Sequence, residues 1–230
     1  MDYVFPAPPQ ASIGVVGEAA RFPVRRIFCV GRNYAEHARE MGNDPDRDPP
    51  FFFTKPCDAA LETPCTVPYP PLTDNLHFEI ELVVAIGRGG TDIDPDRVMD
   101  YVWGASVGVD LTRRDLQAEA KKMGRPWDWA KAFDASAPIA PIVPIDAVPS
   151  LSEGRIWLAV NGEVRQDADI GDMIWSVREH IATLSQSVRL SQGDLVMTGT
   201  PAGVGAVMPG DVITGGVDGI AELEVTIGPR

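Results

Sequence analysis

Apolar side chains recur at every second position in "HFEIELVV" (77–84), where Phe78, Ile80, Leu82 and Val84 share one side and His77, Glu79, Glu81 and Val83 the other. That is the period of a β-strand, and it sets two carboxylates side by side. The same alternation in "AELEV" and the residues after it opposes Leu223, Val225 and Ile227 to Glu222, Glu224 and Thr226, the ordinary pattern of an antiparallel strand with one wet face. The first strand differs beyond Glu81, because "LVVAIG" is apolar on both faces. It is predicted to run from Phe78 to Gly87, covered on both sides, with its acids at one end of a buried strand.

Further strands are predicted over "RRIFCVG" (25–31), "FFFTKP", "PCTVPY" and "VWGASVGVDL", and a hairpin over "RIWLAVNGEVRQD" turning at Asn161-Gly162. Helical signals occupy four stretches. "RNYAEHAREMG" offers Asn33 as a cap and Gly42 as a stop, "DIDPDRVMDYV" has Asp94 before Pro95, "TRRDLQAEAKKMG" begins with Thr112 and Asp115 and ends at Gly124, and "SVREHIATLSQSV" opens with a Ser176–Glu179 capping box. Strands outnumber helices and do not alternate with them regularly, so the expected fold class is α+β and β-rich, without a doubly wound sheet.

With 230 residues, 44% of them hydrophobic, the chain can bury one full core, and no linker divides it. A formal net charge of -13 argues against nucleic acid and anionic membranes as partners, since both are held by basic surfaces. No apolar run reaches the roughly eighteen residues of a membrane span, and "MDYVFPAPPQ" lacks the regions of a signal peptide, which makes the cytoplasm the expected location. Cys29, Cys57 and Cys65 form no C-x-x-C pair, poor material for a zinc site or a disulfide framework.

Two constellations carry candidate chemistry. Asp110 ends the apolar run "VWGASVGVD", and although it would serve as a mere helix cap, with Glu79 and Glu81 it completes a set of three oxygen donors suited to Mg²⁺, Mn²⁺ or Ca²⁺ rather than zinc. In "HARE", His37 and Glu40 stand three apart on one helix face, where a carboxylate can fix an imidazole as a base. Exposed helix pairs of that spacing are commonplace, but the polar loop "NDPDRDPP" beside this one favours a functional role. Arg32, Lys55, Arg114 and Lys131 flank apolar segments, the positions from which an anionic substrate would be held. "TGTPAGVG" (198–205) has no Gly-Lys-Ser/Thr ending and so is not a P-loop, but its hydroxyls and backbone N–H groups suit a carboxylate.

Six ordered blocks, "CVGRNYAEHAREMG", "FFTKP", "FEIELVVAIGRGG", "GVDLTRRDLQ", "WAKAFD" and "MTGTPAGVG", together resemble the fumarylacetoacetate hydrolase family, most closely its acylpyruvase and fumarylpyruvate hydrolase members. One position departs from the pattern, Phe78, where the family often has His or Tyr. The resemblance implies a mixed β-sandwich roll, a catalytic domain over 25–230 behind an N-terminal extension of 1–24, and a homodimer. It implies Mg²⁺ or Mn²⁺ on Glu79, Glu81 and Asp110, a His37–Glu40 dyad that activates water, and Lys131, Gln117 and Thr200 on the substrate, with Lys55 and Arg114 in support. The implied reaction is hydrolysis of a 3-acylpyruvate, a small anionic 2-oxo acid, with fumarylpyruvate giving fumarate and pyruvate, as in gentisate-type aromatic degradation. Alternatives on the same scaffold are an acylpyruvase of wider range, oxaloacetate decarboxylation, a diene-dioate isomerase, or a metal-binding scaffold without catalysis. For a distal carboxylate, Arg32, Lys122 and Arg125 are the candidate cations.

Overall fold

The computed structural model describes residues 2–40 and 48–230, without the side chains of residues 38–40. Its largest sheet has eight strands, running in the order Phe51–Lys55, Arg26–Gly31, Asp194–Met197, Ile80–Ile86, Val102–Val109, Ala137–Ile139 and Ala60–Glu62, with Val143–Pro144 beside Val102–Val109. A five-stranded sheet, ordered Glu163–Asp169, Arg155–Val160, Val212–Val217, Ala221–Gly228 and Cys65–Pro68, covers one face of it. Both sheets mix parallel and antiparallel pairs, and only four short α-helices lie among the described residues. The molecule is therefore the β-rich α+β fold that the alternating pattern predicts, arranged as the mixed sandwich that the family resemblance implies. No helix among the described residues is long and apolar enough to cross a membrane.

The Ile80–Ile86 strand is buried at every position. Ile80, Leu82, Val84 and Ile86 enter the core between the two sheets, together with Ile156, Leu158, Ile213 and Val225 of the smaller sheet. Val83 and Ala85 face the other way, into a second cluster with Ile13, Phe22 and Val24. Each such side chain contributes about 1.5–3 kcal/mol when fully buried, so a register slip that exchanged the two faces is strongly disfavoured. Residues 12–24 thus cover the outer face of the sheet through a small ladder of Ser12–Gly14 and Arg21–Pro23.

One expectation needs correction. The alternation of 77–84 predicts a single strand, but the chain changes sheets at Glu79. Leu76–Phe78 pairs with Thr112–Arg113 and Gly205–Val207, whereas Ile80–Ile86 lies in the large sheet. Local hydrogen bonds replace the ladder at the switch. Asp110 N donates to the Glu79 carbonyl at 2.8 Å, and Ile80 N donates to the side-chain Oε1 of Gln166 at 3.0 Å. The break turns the Glu79 side chain into the molecule while preserving the common face with Glu81.

The turn and cap signals are realised locally. Asn161 and Gly162 both have positive φ, 51° and 82°, as the tight hairpin between Arg155–Val160 and Glu163–Asp169 requires. Ser176 and Glu179 form the capping box of helix Val177–Ser187, and Gly124 closes helix Arg114–Met123 in the left-handed conformation. Pro95–Asp100 is a 3₁₀ rather than an α-helix, with Asp94 accepting from Asp96 N. Asn33 does not cap the helix Ala35–Glu40, because its side chain is committed elsewhere; the expected stop at Gly42 lies outside the described residues.

Candidate active site

Three acids meet where the sheet switch brings strand ends together. Glu79 sits at the break, Glu81 is the second residue of the next strand, and Asp110 follows the end of Val102–Val109. Each offers a carboxylate oxygen within 4.8 Å of the other two, and all three residues are buried. Three cations have been drawn in beside them. Lys131 Nζ lies 2.7 Å from Glu79 Oε2 and 2.5 Å from Asp110 Oδ2, and Arg114 Nη2 lies 2.5 Å from Glu79 Oε1. Lys55 Nζ approaches Asp110 Oδ1 at 2.8 Å and donates to the carbonyls of Leu111 and Lys131. Despite that proximity Oδ1 receives no aligned hydrogen bond.

The charges are not shared evenly. Burial opposes the negative charge of Glu79, but the Lys131 and Arg114 cations outweigh it and hold that carboxyl well below the usual range. Burial likewise opposes the Lys131 ammonium, and Asp110 and Glu79 overcome it, so Lys131 remains a cation. Glu81 makes no ion pair with a lysine or arginine among the described residues, and its Oε2 accepts the Gly199 N–H at 2.8 Å. Burial, then the neighbouring charges of Asp110 and Glu79, push its carboxyl well up. A buried carboxylate beside two others, an Asp110 oxygen without a hydrogen bond among the described residues and an all-oxygen donor set fit a hard divalent cation, which would relieve the repulsion that burial makes expensive.

His37 reaches the same cleft from the helix Ala35–Glu40 and is 6% exposed. It is close enough for its charge to bear on Glu79. The Glu40 side chain lies outside the described residues, so the dyad's other half stands on the sequence. Asn33 fixes the start of this helix. Its Nδ2 donates to the carbonyls of Trp175 and Thr198 at 2.9 and 2.8 Å, and its Oδ1 accepts from Trp175 N at 2.8 Å. All three bonds are made to residues more than 140 positions away in sequence, which is why no local cap signal revealed them.

The cleft is narrow and is lined by His37, Glu79, Glu81, Arg114, Gln117, Lys131, Thr200 and Arg32 among others. Arg114 Nη1 donates to Gln117 Oε1 at 2.6 Å, which leaves the amide N–H₂ of Gln117 to act as a donor. Gln166 Nε2 donates to Thr200 Oγ1 at 2.8 Å, so the Thr200 hydroxyl keeps its own proton to give. The Gly199 N–H, expected to be available for a substrate carboxylate, is taken by Glu81. Lys55 lies behind the acids and does not line the cleft. Lys122 is exposed away from it and Arg125 lines a neighbouring hollow.

Lys121, Trp127 and Phe53 also line the cleft and escaped the sequence reading. For Lys121 a signal existed: Arg114, Gln117 and Lys121 fall three and four positions apart on one helix, and such residues share a face. Burial, then the Arg32 and Arg114 cations, lower Lys121 from the usual lysine range. Gln166, which pins both Ile80 and Thr200, carries no comparable signal, since it belongs to a hairpin strand remote in sequence from both.

Residues 26–228 match the family model for the C-terminal part of fumarylacetoacetate (FAA) hydrolase. The chain is 45% identical over 191 residues to a fumarylpyruvate hydrolase of Ralstonia, covering 82% of this chain and 99% of that one. It is 41% identical over 203 residues to the mitochondrial oxaloacetate tautomerase FAHD1 of Rattus norvegicus, covering 88% and 91%. Among solved structures, fumarylpyruvate hydrolase from Pseudomonas aeruginosa, in complex with Mn²⁺ and pyruvate, superposes with a TM-score of 0.97 at 49% identity, each chain fully covered.

Proposed function

The chain belongs to the fumarylacetoacetate hydrolase family, and from that premise we propose that it is a hydrolase that cleaves a carbon–carbon bond of a 3-acylpyruvate, with fumarylpyruvate as substrate. The observation that carries this reading is the convergence, in one cleft, of Glu79 and Glu81 from the three-acid cluster with His37, Gln117 and Thr200. Fumarylpyruvate hydrolases among the relatives, one of them with Mn²⁺ and pyruvate bound, support it.

Glu79, Glu81 and Asp110 would hold a divalent cation, Mg²⁺ or Mn²⁺, which when bound supplies Lewis-acid polarisation at the 2-oxo acid end of the substrate. In this mechanism His37, oriented by Glu40, takes a proton from water, whose oxygen adds to the acyl carbonyl carbon. The Gln117 amide donates to the oxyanion that forms there. The bond between that carbon and C3 of the pyruvyl unit then breaks, its electron pair passing to C3 as the pyruvate enolate. His37 returns its proton to C3 to give pyruvate, and the acyl part leaves as fumaric acid that ionises to fumarate, so one water is consumed. Thr200 donates its hydroxyl to the pyruvyl carboxylate. Lys131 and Arg114 hold Glu79 in place and add positive potential where negative charge develops.

A second reading, with oxaloacetate as substrate, is favoured by relatives named oxaloacetate tautomerase and oxaloacetate decarboxylase. Decarboxylation uses the same 2-oxo acid end and needs no attacking water. Purified protein stripped with chelator and resupplied with Mn²⁺ is tested on fumarylpyruvate, acetylpyruvate and oxaloacetate. Equimolar pyruvate and fumarate from the first substrate are expected. Loss of CO₂ from oxaloacetate with no fumarylpyruvate turnover would replace the first reading by the second. His37→Gln is expected to lower hydrolysis by roughly 10²–10⁴-fold while sparing decarboxylation; equal retention of both activities would remove His37 as the water base.

A further inference from the structure

Glu79 and Asp110 are paired with Lys55, Arg114 and Lys131, but two further cations line the cleft with no carboxylate partner among the described residues. These are Arg32 and Lys121. In a chain with 33 acidic and 20 basic residues, unpaired cations that converge on one concave surface are not a product of composition. Each is seated on an aromatic face: the Arg32 guanidinium lies 5.4 Å from the Phe51 ring centroid and Lys121 Nζ 5.4 Å from that of Trp127. The two rings meet edge to face with centroids 5.3 Å apart, so four side chains form one continuous cradle. Arg32 adopts a positive φ, 57°, uncommon for a residue with a side chain and enriched at ligand sites.

We propose that Arg32 and Lys121 bind a second carboxylate, the one at the acyl end of the substrate, and so make the enzyme selective for dicarboxylic 3-acylpyruvates over those that end in an uncharged group. This rests on the acylpyruvate reading above and deepens it. The inner carboxylate and 2-oxo group would be held by Arg114, Thr200 and a cation on the acid cluster, whereas the two like charges on the aromatic pair repel each other until an anion lies between them. Placement on aromatic rings limits the freedom of both cations before the substrate arrives, which reduces the ordering penalty on binding.

The test compares Lys121→Met, Arg32→Gln and Lys122→Met with the wild type. The ratio of kcat/KM for fumarylpyruvate to that for acetylpyruvate is expected to fall on the order of tenfold or more in each of the first two variants, the range set by one lost charge-assisted hydrogen bond. Lys122→Met, on the exposed side of the same helix, should keep the wild-type ratio. Calorimetric binding of 2-oxoheptanedioate against 2-oxoheptanoate, with Mn²⁺ present, supplies a readout independent of turnover; the wild type should prefer the dicarboxylate and Lys121→Met should not. Equal losses on both substrates, or the same change in Lys122→Met, would overturn the subsite. Dicarboxylate preference in binding without acylpyruvate turnover would overturn the reaction and keep the subsite, whereas turnover without that preference would do the reverse.

Discussion

Glu81 is buried against two other acids and is steadied by a single backbone N–H. Glu81→Gln keeps its shape and an acceptor for Gly199 but removes the like charge. In chelator the thermal midpoint of this variant should hold or rise, and the rise expected of the wild type in Mn²⁺ should be absent; differential scanning calorimetry reads both. Lys131→Met acts in the opposite sense. It strands Glu79 and Asp110 without their shared cation, a loss on the order of 3–5 kcal/mol measurable by denaturant unfolding. His180, fully buried, carries a pH dependence of its own. Its Nδ1 faces the Trp175 carbonyl at 3.3 Å and therefore bears the proton, while Nε2 has no hydrogen-bond partner among the described residues. Burial pushes its pKa down to about 4. The folded state keeps His180 neutral to that pH, whereas the unfolded chain takes up a proton near 6.5, so stability falls as pH drops from about 6.5 towards 4. The stability gap between wild type and His180→Asn should narrow by about 2 kcal/mol between pH 7 and pH 4.5, as followed by urea unfolding.

The helix Ala35–Glu40 has only six residues, too short to be stable alone, and its position depends on what holds its ends. Three hydrogen bonds join Asn33 to Trp175 and Thr198, and the Trp175 indole N–H donates to the Asp48 carbonyl. Asn33→Ala leaves buried partners unpaired and should cost roughly 3 kcal/mol or more, with kcat falling more than KM changes because His37 loses its fixed approach. Gly199 meets the same junction: at φ 93° a Cβ there would lie 2.7 Å from that of Asn33, which only glycine avoids. Ser176→Ala offers a contrast. It removes one capping bond from helix Val177–Ser187, costs about 1 kcal/mol, and should leave kcat unaltered, as steady-state kinetics would record.

Across the whole molecule, the cleft draws on residues from Val30 to Thr200, so a ligand that binds there stabilises the entire fold. A divalent cation at about a hundred times its Kd adds close to 2.7 kcal/mol, about 5–10 °C in midpoint for a domain of this size; a melt in chelator against one in Mn²⁺ measures it. The alternation of 77–84 was enough to place Glu79 and Glu81 on one face, and the apolar run after them to bury that face, because period-two geometry and hydrophobicity are local properties. Asp110 could be read from its place at a strand end, and the hairpin turn and capping box from their own residues. Lys121 was within reach of helical spacing. What the sequence left open is decided by distance through space: Lys131 and Lys55 are paired to acids 21 and 55 positions away, Asn33 bonds across more than 140, and the chain changes sheets at Glu79 because Asp110 and Gln166 take up the hydrogen bonds a neighbouring strand would have made. Local periodicity determined which residues could share a face. Only the closed tertiary structure decided which acids and cations pair among the described residues, and which side chains from distant segments share the cleft.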